Sequence, residues 1–180
     1  MEFVPSGTVF ESPETGETTE IIETPEQTGD RYRVHVTFAP GSDSERHIHP
    51  GLIEKFTVKS GTVSVRLGRS TSLLGVGDQR EVPLLTTHAI SNPGDEPAEV
   101  DVDIVFASPG PRPEADLVRF GAAYEALASG GRRVGILPMA VLMDEYRDAF
   151  ALPMPVGLQR VAIRPLAALG RARGHGVAEH

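Results

Sequence analysis

The sequence predicts an all-β sandwich or barrel that gives way, past residue 108, to an α-helical extension. Three observations carry this reading. Apolar and polar residues alternate with a period of two in several runs of the first 107 residues. Clusters of Gly, Asn, Asp, Ser and Pro separate those runs. After Ser108-Pro109-Gly110-Pro111-Arg112-Pro113 the period becomes helical. That junction, rich in proline, can continue neither a helix nor a central strand. The chain therefore divides into an N-terminal arm (1–29), a β domain (30–108) and a linker with a helical extension (109–180).

Within the arm, the acidic, Thr-rich stretch from Glu11 to Gln27 contains Thr19-Glu20-Ile21-Ile22-Glu23-Thr24, which reads as an edge strand kept soluble by its charge. Tyr32, Val34, Val36 and Phe38 then alternate with Arg31, Arg33, His35 and Thr37, a half-buried strand that puts His35 outside. The alternation returns in Val63, Val65 and Leu67. It returns again in Val100, Val102 and Ile104, with Glu99, Asp101 and Asp103 on the opposite face. Turns are expected at Gly41 to Ser44, Ser60-Gly61, Gly75 to Asp78 and Asn92 to Asp95. By parity or apolar character, Phe38, Phe56, Val58, Ile90, Val102 and Ile104 form the wall of the interior. Arg80, Glu81 and Tyr32 are expected at its mouth, and no inward base is expected besides Glu54.

In the extension, Leu117, Phe120, Tyr124 and Leu127 form one helical stripe that Gly130-Gly131 stops, and Met139, Leu142, Tyr146 and Phe150 form a second. A third helix runs from about Val156 to Ala172, with Leu158, Ala162, Leu166 and Leu169 on one side and Pro165 bending it. Arg160, Arg164, Arg171 and Arg173 lie elsewhere on it. Apolar helix faces are usually buried in protein, so this stripe is expected to pack on its own barrel or on a second subunit. Its basic character also suits weak association with an anionic membrane surface.

Composition narrows the function classes. The chain has 180 residues and no cysteine, which excludes disulfides, thiolate metal sites and cysteine nucleophiles. Its formal charge of -8 repels phosphate backbones, so nucleic acid is not an expected partner. The charge is uneven: residues 1–110 carry 18 acids and 8 bases, residues 111–180 carry 7 acids and 9 bases. Met1-Glu2-Phe3-Val4-Pro5 has neither the basic nor the apolar segment of a secretory signal, so a cytoplasmic location is expected. The longest apolar run, Ile136 to Met143, is too short to span a membrane.

The chemistry concentrates on histidine. His47-Ile48-His49 places two imidazoles at i and i+2, the separation that points both to one face of a strand. Glu54, Phe56 and Val58 alternate along the next strand and bring a carboxylate to the same side. His175 and His180 fall in a Gly-rich tail. No Walker loop, nucleophile elbow or His-Glu-x-x-His helix occurs.

The spacing Gly41-x5-His47-x-His49-x4-Glu54-x6-Gly61 resembles the first conserved motif of the cupin superfamily, and Gly77-x5-Pro83-x4-His88-x3-Asn92 resembles the second. The usual glycine two residues after the proline is Leu85 here. The resemblance spans about residues 30–107. It implies a small double-stranded β-helix, or jelly-roll, barrel enclosing one divalent metal held by His47, His49, Glu54 and His88. Such a donor set suits iron first, with Mn, Ni, Zn or Cu as alternatives. Two open positions on an octahedral ion would take a small-molecule substrate or dioxygen, which points to an oxygenase acting on a hydrophobic chelating substrate. A non-redox isomerase or cyclase and a non-catalytic ligand binder are the alternatives, and the resemblance further implies a homodimer. Asn92 is read as a turn cap or a neighbour of the ligands.

Overall fold

The computed structural model describes residues 2–12, 15–128 and 133–177. In chain order it contains β1 (Val9–Ser12), β2 (Glu17–Glu23), α1 (Pro25–Thr28), β3 (Arg31–Phe38), β4 (Leu52–Ser60), β5 (Val63–Leu67), β6 (Ser70–Leu74), β7 (Gln79–Val82), β8 (His88–Ser91), β9 (Ala98–Phe106), α2 (Leu117–Ala128), α3 (Ile136–Glu145) and α4 (Val156–Ala172). Gly130-Gly131 and His180, to which the sequence assigns a helix stop and a tail, lie outside the described residues.

The strands form two antiparallel sheets, one ordered β1-β2-β3-β9-β4-β7 and the other β6-β5-β8. They face each other across one core: Tyr32, Val34, Phe38, Phe56, Val58, Val102 and Ile104 from the large sheet pack with Val63, Val65, Leu74 and Ile90 from the small one. This is the jelly-roll arrangement, with closure between the sheets made by isolated bridges such as His47 to His88 and Asp43 to Ser91. In β3 and β9 every second residue is buried, so both strands follow the alternation legible in the sequence. His35 lies on the outer face, its Nδ1 2.8 Å from Asp101 Oδ1.

The Thr19–Thr24 stretch is part of β2, but not at an edge. β2 lies between β1 and β3, and Ile21 is fully buried. The edge is β1, whose four residues are too short to display a period.

Two turns carry the glycine positions of the motifs. Gly61, the last position of the first motif, has φ +71°, and a Cβ there would meet the Ala98 Cα at 3.0 Å, so only glycine fits. Leu85 occupies the glycine position of the second motif and adopts φ 59°. The turn thus keeps the left-handed conformation that glycine takes without strain, and the leucine side chain is 59% exposed.

The extension docks through Asp116. Its carboxylate accepts the Arg119 N–H at 3.0 Å and its carbonyl accepts the Phe120 N–H, capping α2. The Tyr32 hydroxyl donates to Asp116 Oδ2 at 3.3 Å and ties the cap to the sheet. Burial pushes the Asp116 carboxyl up to about 6.

The second helical stripe divides: α3 ends at Glu145, Tyr146 caps it, and Phe150 lies on the segment beyond. In α4 the stripe of Leu158, Ala162, Leu166 and Leu169 is not the face that packs. The helix buries Ala167 and Gly170 against α3 and Gln159 where its Oε1 accepts the Leu152 N–H, and leaves Leu158, Leu166 and Leu169 exposed. Small residues decide this, because Gly170 lets α4 approach so closely that a Cβ would meet Val141 Cγ2 at 2.7 Å and the Leu137 carbonyl at 3.0 Å. Pro165 sits inside α4 without ending it. Among the described residues, no helix is long and apolar enough to cross a membrane.

Candidate metal centre

Four side chains that the sequence singles out converge. His47 and His49 sit on the extended segment entering β4, Glu54 is the third residue of β4, and His88 opens β8 on the opposing sheet. Their potential ligand atoms all lie within 4.8 Å of one another. The backbone bridge between His47 and His88, made by reciprocal N–H to carbonyl bonds of 3.0 Å, brings the two motifs together.

Each imidazole is oriented by a backbone carbonyl at its Nδ1. His47 Nδ1 lies 2.6 Å from the Glu45 carbonyl, His49 Nδ1 2.5 Å from the Ala149 carbonyl, and His88 Nδ1 3.0 Å from the Thr86 carbonyl. A carbonyl can only accept, so each Nδ1 carries a proton, and the neutral form of each ring presents its lone pair at Nε2. Those Nε2 atoms point inward. His47 Nε2 and His49 Nε2 are 3.1 Å apart, and Glu54 Oε2 lies 3.3 Å from His49 Nε2 and 3.0 Å from His88 Nε2.

Two facing lone pairs at 3.1 Å repel unless a cation lies between them. The spacing also fits one: ligands about 2.1 Å from a common ion and about 90° apart are separated by about 3.0 Å. The buried His88 Nε2 has the Glu54 carboxylate 3.0 Å away but makes no well-directed hydrogen bond, as expected of an atom shaped to coordinate. The donor set of three nitrogens and one oxygen suits a divalent transition metal.

Electrostatics couple the four groups. Burial, followed by the neighbouring His49 and His88, pushes His47 down to about 3, so its Nε2 is unprotonated at neutral pH. Burial works against the Glu54 carboxylate, but His49 and His88 together hold it well below the usual range. Burial also opposes the charge on His88, and the Glu54 carboxylate beside it outweighs that, raising the imidazole.

The helical extension takes part in the site. The Ala149 carbonyl fixes the His49 ring, Ile48 pairs with Ala151 through two backbone bonds of 2.8 Å, and the Gly51 N–H donates to the Asp148 carbonyl at 2.7 Å. The Phe150 ring stacks on His47 with centroids 5.2 Å apart and on Phe120 at 4.9 Å. Sequence periodicity assigned Phe150 to a helix stripe, because the interruption of α3 at Tyr146 leaves no local signal.

Of the residues expected at the mouth, Arg80 faces inward, paired in register with Phe56. Its Nη2 reaches Ser72 Oγ at 3.0 Å on the opposing sheet, and its buried Nε has no partner. Tyr32 is fully buried against Asp116, and Glu81 pairs with Lys55 on the outer face. Asn92 is a turn cap: its side chain donates to the Phe38 and Glu96 carbonyls and accepts the Gly94 N–H.

Glu17 was missed. It stands opposite Phe38 in the β2–β3 register and therefore shares the inner face. Its Oε1 is buried without a hydrogen-bond partner. Burial first, and then the negative charge of Glu54, push its carboxyl up to about 7. Its inward parity, shared with Thr19 and Ile21, was visible only once β2 was known to start at Glu17.

Residues 34–105 match the family model described as Cupin domain. The chain is 34% identical over 98 residues to mannose-1-phosphate guanylyltransferase of Escherichia coli K12, a match covering 53% of this chain and 20% of that protein. The xanthan biosynthesis protein XanB of Xanthomonas campestris pv. campestris is likewise 34% identical over 97 residues, 53% of this chain and 20% of its own length. The chain thus spans about a fifth of the length of the curated relatives it matches. Among solved structures, a predicted oxalate decarboxylase of Thermotoga maritima superposes with a TM-score of 0.50 at 17% identity, covering 56% of this chain and 92% of that one. That likeness is one of fold.

Proposed function

The chain belongs to the cupin superfamily through residues 34–105, and on that premise we propose that it is a divalent-metal enzyme, loaded with iron, that oxidises a small hydrophobic substrate bearing a chelating oxygen. The observation that carries this reading is the convergence of three carbonyl-anchored imidazoles and Glu54 on one point, their potential ligand atoms all within 4.8 Å of one another. His47, His49, Glu54 and His88 would hold the metal. Bound there, it would supply Lewis acidity and, as iron, a route for electrons from substrate to dioxygen.

The remaining roles belong to the chain. Phe38, Phe56, Val58, Ile90, Val102 and Ile104 line the core and keep water from the buried side of the ligands. The carbonyls of Glu45, Thr86 and Ala149 hold the rings in the tautomer that presents Nε2.

A second reading rests on Glu17. An inward carboxyl with a free oxygen and a pKa near 7 is suited to move a proton, which a metal-dependent isomerase or cyclase needs and oxidation does not. The likeness to mannose-1-phosphate guanylyltransferase over half of the chain supports a sugar phosphate as the substrate class in that case.

Elemental analysis of protein purified without added metal, for wild type, His47→Ala and His88→Ala, tests the shared premise. Near-stoichiometric metal in the wild type, lost in both variants, supports it; none after reconstitution overturns it. Oxygen uptake with phenolic and diketone substrates then separates the readings. Turnover that persists without oxygen and is lost in Glu17→Gln would replace oxidation with the second.

We further propose that the protein forms a homodimer, with the open edge of β1 as the pairing surface. Sedimentation equilibrium is the direct check.

A further inference from the structure

The uncovered side of α4 is apolar along its length. At about 100° per residue, Leu158, Val161, Pro165, Ala168, Leu169 and Ala172 fall within one arc of about 100° opposite the face packed on α3. Val161 is 70% exposed, Leu158 59% and Leu169 43%. Apolar side chains gathered on one face to this extent mark a contact surface rather than scatter.

The charge around the arc is of one sign. No acid occurs from residue 149 to residue 177, whereas Arg160, Arg164, Arg171 and Arg173 flank the arc. The nearest carboxylates are engaged: Arg160 pairs with Asp148, and Arg171 with Asp144 and Glu145. Among the described residues, Arg164 and Arg173 form no ion pair and stay available.

A second copy of the helix is a poor occupant. It would bring arginines toward arginines with no acid on α4 to answer them. Two stripes about 25 Å long and about 10 Å wide would also bury on the order of 500 Å², well short of the ~1,200 Å² of a stable specific interface.

We propose that α4 docks in the plane of an anionic lipid surface, its apolar arc entering the acyl boundary and Arg164 and Arg173 meeting lipid phosphates. The reversed charge balance of the C-terminal region would then orient the acidic sheets away from the membrane. The proposal is independent of the reaction carried out at the metal centre.

Co-sedimentation of the full chain with vesicles tests it, using phosphatidylcholine alone and an equal mixture with phosphatidylglycerol. Two arginines contributing roughly fivefold each predict about 30-fold tighter binding to the mixed vesicles. Val161→Glu should abolish binding and Arg164→Gln should weaken it about fivefold. Both positions are exposed, and circular dichroism and melting curves confirm that the variants fold; Leu169→Glu provides a second disruption of the arc. Equal binding to the two vesicle types, or no binding to either, overturns the proposal. So does a concentration-dependent dimer that Val161→Glu dissociates, which would assign the arc to a second copy.

Discussion

Replacing Glu17 by glutamine should stabilise the protein at neutral and alkaline pH and leave its stability in acid nearly unchanged. Burial and the charge of Glu54 raise the Glu17 carboxyl from 4.5 to about 7, against a smaller opposing contribution from the Thr15 hydrogen bond. A carboxyl raised in this way binds its proton more tightly in the folded state, so its ionisation opposes folding. The penalty is absent below 4.5, the value taken for the unfolded chain, grows as the pH rises from there, and is complete above about 7. The interval from 4.5 to about 7 corresponds to ~3 kcal/mol. Glutamine keeps the shape and the unpartnered polar atom and removes only the charge. Urea titrations of the metal-free proteins should therefore coincide near pH 4 and differ by about 2–3 kcal/mol near pH 8, with the variant more stable. Loading a metal neutralises Glu54 and should narrow the gap without closing it, because burial is the larger cause. A gap of the same size at both pH values, or a more stable wild type near pH 8, would refute the reasoning.

Phe150→Ala should remove the ring stacked between His47 and Phe120. A loss of about 2 kcal/mol in thermal unfolding is expected, with metal affinity about 10-fold weaker by competition against a chelator. Gly170→Ala should lose about 1 kcal/mol, since forcing a Cβ against Val141 and the Leu137 carbonyl outweighs the ~1 kcal/mol gain in helix propensity; an increase in melting temperature would contradict the close packing of α3 and α4. Truncation of residues 114–180 should weaken metal binding by about 10–100-fold, because the Ala149 carbonyl leaves with them. Isothermal titration of the truncated chain, after circular dichroism confirms its fold, is the check, and unchanged affinity would contradict the role of that carbonyl.

The interior of the β domain was legible because a strand has a period of two. Tyr32, Val34, Val36 and Phe38 had to share one face whatever their partners, as did Val100, Val102 and Ile104. The same rule put His47 and His49 on one side of their strand. Leu85 shows the limit of reading a motif by residue type, since the structure keeps the turn and the departure from glycine appears as a left-handed leucine. In α4 the period of 3.6 was visible too, but it has apolar residues on two faces. Which one is buried depends on how closely α3 approaches, and that is set by Gly170.

Local periodicity, turn chemistry and ligand spacing thus determined the sheets, the helical extension and the four residues of the candidate metal centre. Tertiary structure decided what no local period encodes. It brought the Ala149 carbonyl 100 residues along the chain to the His49 ring, laid Phe150 on His47 and turned Glu17 inward. Contacts at such separation depend on how two independently formed elements pack, and a single chain read in order carries no period for them.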